Sequence, residues 1–291
     1  MKPAPFDYHR PDSVAGATQM LSEFGDDAKL LGGGQSLVPM LSMRLAFFDN
    51  LIDISRLDEM KGIKADGDSV WIGGGTTHAV VGADEQVRTN VPLLTRATPL
   101  IGHFQIRSRG TIGGSIAHAD PAAEYGAVAL ALDATIEAVS ASGRREIPAG
   151  EFFAGVWETA MAPDEVLVGL RFPVWSGRCG FAVEEFARRH GDFAIAGAVA
   201  AIELDHDDTV RRSAIGLLGL SATPRRASAA EAAIAGRPVG DITAEEIGEL
   251  AMTGLDDIPA DLQGSAGYRR KVGAAMAAQA WRSAVKEAFD A

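Results

Sequence analysis

The chain is poor in residue types that several classes of protein require. It has a single cysteine, Cys179, in 291 residues, which excludes an internal disulfide and any cysteine-ligated cluster or zinc site within the chain alone. Acidic residues outnumber basic ones and give a net charge of −12, which argues against a nucleic-acid or anionic-membrane partner. No apolar run approaches the roughly 18 residues of a membrane span, and the first residues lack the apolar core of a signal peptide. These absences predict a cytoplasmic globular protein.

Common catalytic motifs are missing as well. The histidines form neither the H-E-x-x-H nor the H-x-H spacing of a metal site, and no G-x-S-x-G motif marks a serine nucleophile. Cys179 lies in no cationic or histidine pattern that marks a reactive thiol, and it is predicted to be a small packing residue. His78 is predicted to be a surface or capping residue at the start of a helix. The sequence therefore predicts no catalytic residue and no metal ligand.

Two glycine-rich stretches stand out, each placed after an apolar run and followed by serine. Residues 30–39 read LLGGGQSLVP, and residues 111–121 read TIGGSIAHADP. Glycine lets a ligand approach the backbone, and N–H groups turned inward form an anion-binding concavity. Two such loops that face each other can hold a pyrophosphate, so the pair predicts a dinucleotide site. The first stretch fits neither the P-loop, because no Lys-Ser or Lys-Thr follows it, nor G-x-G-x-x-G, because Leu37 replaces the third glycine.

Three side chains around the second stretch have two interpretations. His118 lies beside the expected ligand or braces the loop. Asp120 and Glu124 stand where the loop enters a helix, and their carboxylates either accept hydrogen bonds from sugar hydroxyls or serve as helix N-terminal carboxylates that the dipole favours.

The order of predicted elements indicates an α+β protein with three parts. Residues 1–57 contain a strand, the first glycine stretch, a helix and a strand, a small βαβ unit with the loop at the carboxyl end of its first strand. Residues 58–176 contain short strands and helices. Residues 177–291 contain three strands, at about 181–187, 194–204 and 210–220, followed by helices near 226–236, 243–254 and 266–288, which is a segregated arrangement.

Three segments in this order resemble one known family. They are GGQSLVP with the downstream Met and Arg-Leu (Gly33 to Leu45), TIGGSIAHADPAAE (Thr111 to Glu124) and RRHGDFA (Arg188 to Ala194). The sequence resembles, over essentially its whole length, the FAD-binding medium subunit of molybdenum hydroxylases, the group that includes aerobic carbon monoxide dehydrogenase and xanthine dehydrogenase. The resemblance implies a two-part FAD-binding domain of the vanillyl-alcohol-oxidase (PCMH) type and a C-terminal domain with a three-stranded antiparallel sheet and helices.

The resemblance also implies the roles of individual residues. The two glycine loops bind the pyrophosphate of a non-covalent FAD, Glu124 contacts its sugar or ribityl hydroxyls, Ile101 and Leu167 pack on it, and Phe193 covers the flavin ring. The full set of residues predicted to bind the cofactor is Gly32, Gly33, Gly34, Gln35, Ser36, Leu37, Ile101, Thr111, Gly113, Gly114, Ser115, His118, Asp120, Glu124, Leu167 and Phe193. The chain departs from the pattern at Glu184-Glu185, where some members carry a lysine, so a cofactor contact from that strand is not predicted.

In such enzymes a large subunit hydroxylates the substrate at a molybdenum cofactor, and a small subunit with two 2Fe-2S clusters passes the electrons to FAD. The resemblance therefore implies both partner subunits, as a dimer of heterotrimers, and an external electron acceptor that is NAD, a quinone or oxygen. Substrate choice belongs to another chain. Two alternatives stay open: a self-contained flavin oxidase or dehydrogenase of the same FAD fold, and a nucleotide-binding module without redox activity.

Overall fold

The computed structural model describes residues 2–291 and contains four β-sheets. Residues up to Asp53 form β1 (Asp7–His9), α1 (Val14–Phe24), β2 (Ala28–Leu31), α2 (Leu37–Ser42) and β3 (Asn50–Asp53). The next elements are β4 (Ile63–Asp66), β5 (Ser69–Gly73), α3 (His78–Ala83), α4 (Glu85–Asn90), α5 (Pro92–Ala97), α6 (Phe104–Arg107), α7 (Ile112–His118), α8 (Glu124–Ala131), β6 (Thr135–Ser140), β7 (Gly143–Pro148), α9 (Ala149–Phe152), β8 (Phe153–Gly155), β9 (Glu158–Thr159) and β10 (Val166–Pro173). The last are β11 (Arg178–Phe186), β12 (Ala196–Leu204), β13 (Val210–Leu218), β14 (Arg225–Arg226), α10 (Ser228–Ile234), α11 (Ala244–Ala251) and α12 (Ala266–Asp290).

The first sheet is parallel and has the order β1-β3-β2. Ser13 caps α1, since its hydroxyl accepts the amide of Gly16 at 3.0 Å, and the helix stops at Gly25, whose φ of +57° suits glycine. The predicted βαβ unit is confirmed, and its geometry places the first glycine loop at the carboxyl end of β2.

The second sheet is antiparallel and has the order β4-β5-β10-β6-β7. One helix was expected to run from Thr76 or Thr77 to Val87, but two short helices occupy this stretch. Thr77 caps α3 as expected. Asp84 then takes an extended conformation and its carboxylate accepts the amides of Gln86 and Val87 at 2.9 and 3.0 Å, so a second N-cap interrupts the helix.

The third sheet has four strands, in the order β11-β12-β13-β14, rather than the three expected. The extra strand is only Arg225–Arg226, paired with Gly216 and Leu217. A two-residue strand of charged residues carries no alternation that a sequence pattern can reveal. This correction is small, and the α+β class is confirmed.

The third sheet is covered on both faces, and its side chains alternate accordingly. On one face, Ala182, Ala198 and Ala200 pack with α12; on the other, Phe181, Val199 and Ala201 join the core that contains α5 and α8. A Cβ at Gly180 would overlap the carbonyl oxygen of Ala284, so glycine lets α12 lie directly on β11. No helix in the described residues is long and apolar enough to span a membrane.

An ion pair joins α12 to α5. Arg96 binds Glu287 through both guanidinium nitrogens, and Glu287 also accepts the backbone amide of Phe181 at 3.1 Å. The C-terminal helix is therefore fastened to the part of the chain that carries the second glycine loop.

Candidate functional site

The first glycine loop exposes unpaired backbone donors. It connects β2 to α2, and Gly34 has a φ of +73°, a conformation that favours glycine. The amides of residues 32–36 have no hydrogen-bond acceptor within residues 2–291, whereas the carbonyls of Gly34 and Ser36 accept the amides of Val38 and Met40. Five neighbouring donors without acceptors form a concavity suited to an anion.

The two glycine loops are in direct contact. A Cβ at Gly33 would overlap the carbonyl oxygen of Arg109, and a Cβ at Gly32 would lie 3.3 Å from the Oγ1 atom of Thr111. The backbone of the first loop thus lies against the start of the second loop. In the sequence, the only indication of this contact was the similarity of the two stretches. The close approach requires glycine at position 33.

The second loop already uses most of its backbone donors. Thr111 caps α7 by accepting the amide of Gly114 at 3.1 Å, and its carbonyl accepts the amide of Ser115 at 3.0 Å. The amide of Gly113 donates to the carbonyl of Gly74 at 2.9 Å. Gly114 is exposed and Ser115 is half-buried. The second loop therefore offers the Ser115 hydroxyl and the Gly114 surface, while most free amides come from the first loop.

A third glycine run, Gly73 to Gly75, supports the second loop and was missed by the sequence analysis. A Cβ at Gly113 would lie 2.6 Å from the carbonyl oxygen of Gly74, and a Cβ at Gly74 would lie 2.6 Å from that of Leu167. The backbones of β5, α7 and β10 therefore meet here without side chains between them. The signal in the sequence was three glycines directly after a strand.

His78 holds the start of the second loop, so its prediction as a surface or capping residue is wrong. Its side chain is 5% exposed, its amide donates to the carbonyl of Gly110, and its Nε2 atom lies 3.0 Å from the carbonyl oxygen of Thr111. Burial lowers the pKa of His78 to about 4. The ring is therefore neutral near pH 7 and donates from Nε2, which leaves the buried Nδ1 atom without a partner.

Glu124 is buried at the first position of α8, with 8% of its surface exposed. Burial, together with the nearby carboxylates of Glu185 and Asp120, raises the pKa of Glu124 to about 8. Asp120 accepts the amide of Ala122 at 2.9 Å. Glu124 is therefore protonated to a large extent at pH 7 and is able to donate as well as accept a hydrogen bond.

His118 lies beside the loops and stacks on a tryptophan that the sequence analysis missed. The rings of His118 and Trp157 are 6.0 Å apart and 16° from parallel. Burial lowers the pKa of His118, and the nearby charge of Lys29 acts in the same direction. Trp157 has a φ of +59°, a strained conformation for a bulky residue, and its ring is largely exposed.

The apolar residues predicted to contact the cofactor lie in two places. The turn from Arg189 to Asp192, closed by an ion pair of 3.1 Å, packs on the segment after α5: the His103 and His190 rings are 6.0 Å apart. Phe193 follows this turn and is exposed, Ile101 precedes the contacted segment and is partly buried, and Leu167 is buried under Gly74.

A groove of about 750 Å³ lies elsewhere, between α1 and the end of β6. Its lining includes Val14, Thr18, Ser140 and Val168 but none of the residues predicted to bind a cofactor. Cys179 is buried, as predicted, and burial raises the pKa of its thiol to about 11.

Comparison with known proteins places this geometry in a family. Residues 4–175 match the family described as the FAD binding domain in molybdopterin dehydrogenase, and residues 181–284 match the CO dehydrogenase flavoprotein C-terminal domain. The chain is 40% identical to the alpha subunit of the 6-hydroxypseudooxynicotine dehydrogenase complex of Paenarthrobacter nicotinovorans, over 94% of this chain and 92% of that one. It is 35% identical to the carbon monoxide dehydrogenase medium chain of Hydrogenophaga pseudoflava, over 98% of each. A solved structure of carbon monoxide dehydrogenase from that organism contains a chain that superposes with a TM-score of 0.95 at 37% identity, covering 99% of both chains.

Proposed function

The chain belongs to the FAD-binding medium subunits of molybdenum hydroxylases, and from this premise we propose that its two glycine loops hold the pyrophosphate of a non-covalent FAD. The observation that carries the proposal is the set of five backbone amides, from Gly32 to Ser36, that have no acceptor within the described chain, in a loop whose Gly32 and Gly33 lie against Thr111 and Arg109. Backbone donors need no lysine cluster, which suits a chain with a net charge of −12.

The other predicted residues surround this anion site. The segment from Thr111 to Ser115 closes it from the second loop. His118, Asp120 and Glu124 follow on α7 and α8, where they supply polar groups for the sugar and ribityl hydroxyls. Ile101, Leu167 and Phe193 supply apolar surface, and Phe193 covers the flavin ring from the turn that packs on Gly102 and His103. Gln35 and Leu37 complete the first loop.

FAD supplies the redox chemistry of the subunit, and the protein binds, orients and shields it. The chain's own residues offer no cysteine ligands for a cluster, since Cys179 is its only cysteine. We propose that electrons reach the subunit from the 2Fe-2S clusters of a small partner subunit, after substrate hydroxylation at the molybdenum cofactor of a large subunit, and leave for an external acceptor. The assembly is a cytoplasmic dimer of heterotrimers. Residues 1–57 and 58–176 form the two parts of the FAD-binding domain, and residues 177–291 form the C-terminal domain.

A self-contained flavin oxidase would need a substrate-binding region beyond these parts. The relatives that this chain matches over 92% and 98% of their lengths are themselves named as a subunit and a medium chain. The coverage therefore favours a subunit over a self-contained enzyme.

The test is the visible spectrum of the purified chain, followed by mass analysis of what heat denaturation releases. Flavin absorption and free FAD in the supernatant are expected. An adenine nucleotide without a flavin spectrum would support the nucleotide-binding module instead. In Gly114→Val the new side chain would start 2.8 Å from Thr111 Oγ1 on the exposed surface of the second loop, and FAD retention should be lost; unchanged occupancy would refute the role of that loop.

A further inference from the structure

Two neighbouring glutamates on β11 point to opposite faces of the third sheet. The Glu184 carboxylate accepts hydrogen bonds from Gln279 at 2.9 Å and Ser283 at 3.3 Å, both on α12. Because side chains alternate along a strand, Glu185 points away from α12. Phe181 and Val183, which share its face, pack into the core that contains α5 and α8.

Glu185 has no partner in this position. Its Oε2 atom is fully buried and accepts no hydrogen bond from any residue between 2 and 291. Its backbone pairs with Gly197, and a Cβ at that glycine would lie 3.0 Å from the Cβ atom of Glu185. Glycine at position 197 therefore leaves room for the Glu185 side chain beside the α8 layer.

Glu124, at the start of α8, lies close to this strand pair: the carbonyl of Pro121 accepts the amide of Gly219 at 2.8 Å, and the neighbouring Leu218 pairs with Gly197, the cross-strand partner of Glu185. Glu124 is more than nine-tenths buried, and within the described chain the sole donor to its carboxylate is its own backbone amide. Glu185 and Asp120 are the charged groups that act on it, and both are acidic. A buried carboxylate without a donor or counter-charge is costly in its ionised form.

Three arginines on the surrounding elements are engaged elsewhere. Arg96 on α5 binds Glu287 of α12. Arg107 on α6 donates to the carbonyls of Ile101 and Gly102, each at 3.0 Å. Arg269 on α12 binds Asp261 and the carbonyl of Ile195. The charged groups that act on the Glu124 carboxyl are therefore the acidic Glu185 and Asp120.

We propose that Glu124 and Glu185 form a carboxyl pair that holds a proton at neutral pH, and that this proton is required for tight FAD binding; the inference rests on the proposed function. A protonated carboxyl group donates a hydrogen bond to a cofactor oxygen, which a carboxylate cannot do. Two ionised carboxylates would also repel each other and the pyrophosphate.

The direction of the pH dependence follows from the pair. Burial raises the pKa of Glu185 to about 7, and that of Glu124 lies at about 8. Below these values the empty site already holds its proton. At a pH above these pKa values the carboxyl pair must take up a proton when FAD binds, so FAD affinity falls by about tenfold per pH unit for one linked proton.

The experiment is a fluorescence titration of the FAD-depleted full chain with FAD between pH 6 and pH 9.5. The wild type should lose affinity above pH 8. Glu185→Gln cannot ionise and supplies a neutral donor, so it should bind FAD more tightly than the wild type at pH 9, a gain that a damaged fold would not produce. Glu124→Gln/Glu185→Gln should show a flat profile. The matched control Glu184→Gln, altered on the α12 face, should keep the wild-type profile.

The outcomes separate this inference from the proposed function. If the wild type binds FAD with an affinity that does not change with pH, the carboxyl pair is overturned and the FAD site stands. The same holds if Glu185→Gln and the double variant Glu124→Gln/Glu185→Gln keep the pH dependence of the wild type. If neither the wild type nor any variant binds FAD at any pH, both the carboxyl pair and the proposed function are overturned. A Glu184→Gln profile that changes as much as that of Glu185→Gln also overturns the inference, because it assigns the effect to general surface charge.

Discussion

The Nε2 atom of His78 lies 3.0 Å from the carbonyl oxygen of Thr111, 33 residues further along the chain. This bond fixes the carbonyl of the residue that caps α7, next to the first glycine loop. The edge of the Tyr125 ring, at 5.1 Å between centroids, holds the imidazole in place. A neutral histidine in the core thus sets the backbone of the anion site without being exposed to it.

Replacement of His78 by phenylalanine keeps a ring of similar size and removes the donor. The Thr111 carbonyl then loses its partner in a buried position, so the free energy of unfolding should fall by about 1–3 kcal/mol, and FAD should be released at lower temperature. Chemical denaturation and a flavin-fluorescence melt measure the two effects. His78→Gln, which retains an N–H donor, should recover part of the loss; equal behaviour of His78→Phe and the wild type would rule out a role for the bond.

Gly33→Ala tests the contact between the two loops. The added methyl group would overlap the carbonyl oxygen of Arg109, and backbone cannot move aside as a flexible side chain does. We expect a stability loss of about 1–3 kcal/mol, typical of overpacking, together with a lower content of bound FAD. The matched control is Gly150→Ala on α9, where a Cβ meets no atom within 4 Å. If both variants keep the wild-type FAD content, the loops do not require their close approach.

Glu124→Ala removes the carboxyl group from the start of α8. If Glu124 bonds a sugar or ribityl hydroxyl, FAD binding at pH 7 should weaken by about 1–3 kcal/mol. A titration followed by flavin fluorescence gives the dissociation constant. An unchanged constant would leave Glu124 with only its interaction with the helix dipole.

The stability of the FAD-free chain should also depend on pH through Glu124. Its pKa is raised in the folded state, from 4.5 to about 8, so the folded chain binds the proton more strongly than the unfolded chain. The resulting stabilisation is complete below about pH 4.5 and is lost as the pH rises toward 8, by up to a few kcal/mol. Glu124→Gln lacks this titration, so its stability relative to the wild type should increase over that interval. Urea denaturation at several pH values gives the difference, and a constant difference would contradict the buried, protonated state.

The sequence predicted much of the frame of the site. The βαβ unit and the α+β order of the elements follow from local patterns. The family resemblance, carried by three segments, is confirmed by matches over nearly the whole chain. The roles of individual residues in FAD binding stay predictions.

The missed features depend on contacts between distant segments. His78 looked like a capping residue because the bridge between Thr77 and Thr111 that buries it has no local signature. Asp84 split one expected helix because a good N-cap competes with helix continuation. The third glycine run supports the second loop through the Gly74 carbonyl. Glu185 comes close to the start of α8 only through the pairing of β11 with β12 and of β12 with β13.

The two glycine loops differ in how many of their backbone N–H donors already have acceptors. This difference bears on whether FAD binds before or after other subunits dock. The first loop leaves five amides to solvent, whereas the second has already satisfied most of its own. If another chain covered the first loop before the cofactor arrived, each amide cut off from water would cost about 1–3 kcal/mol. If FAD binds as proposed, loading of the cofactor ahead of docking avoids that cost, because its phosphates would take the place of water. The unpaired amides of the first loop therefore favour an order in which FAD binds to the subunit first and the partner chains dock afterwards.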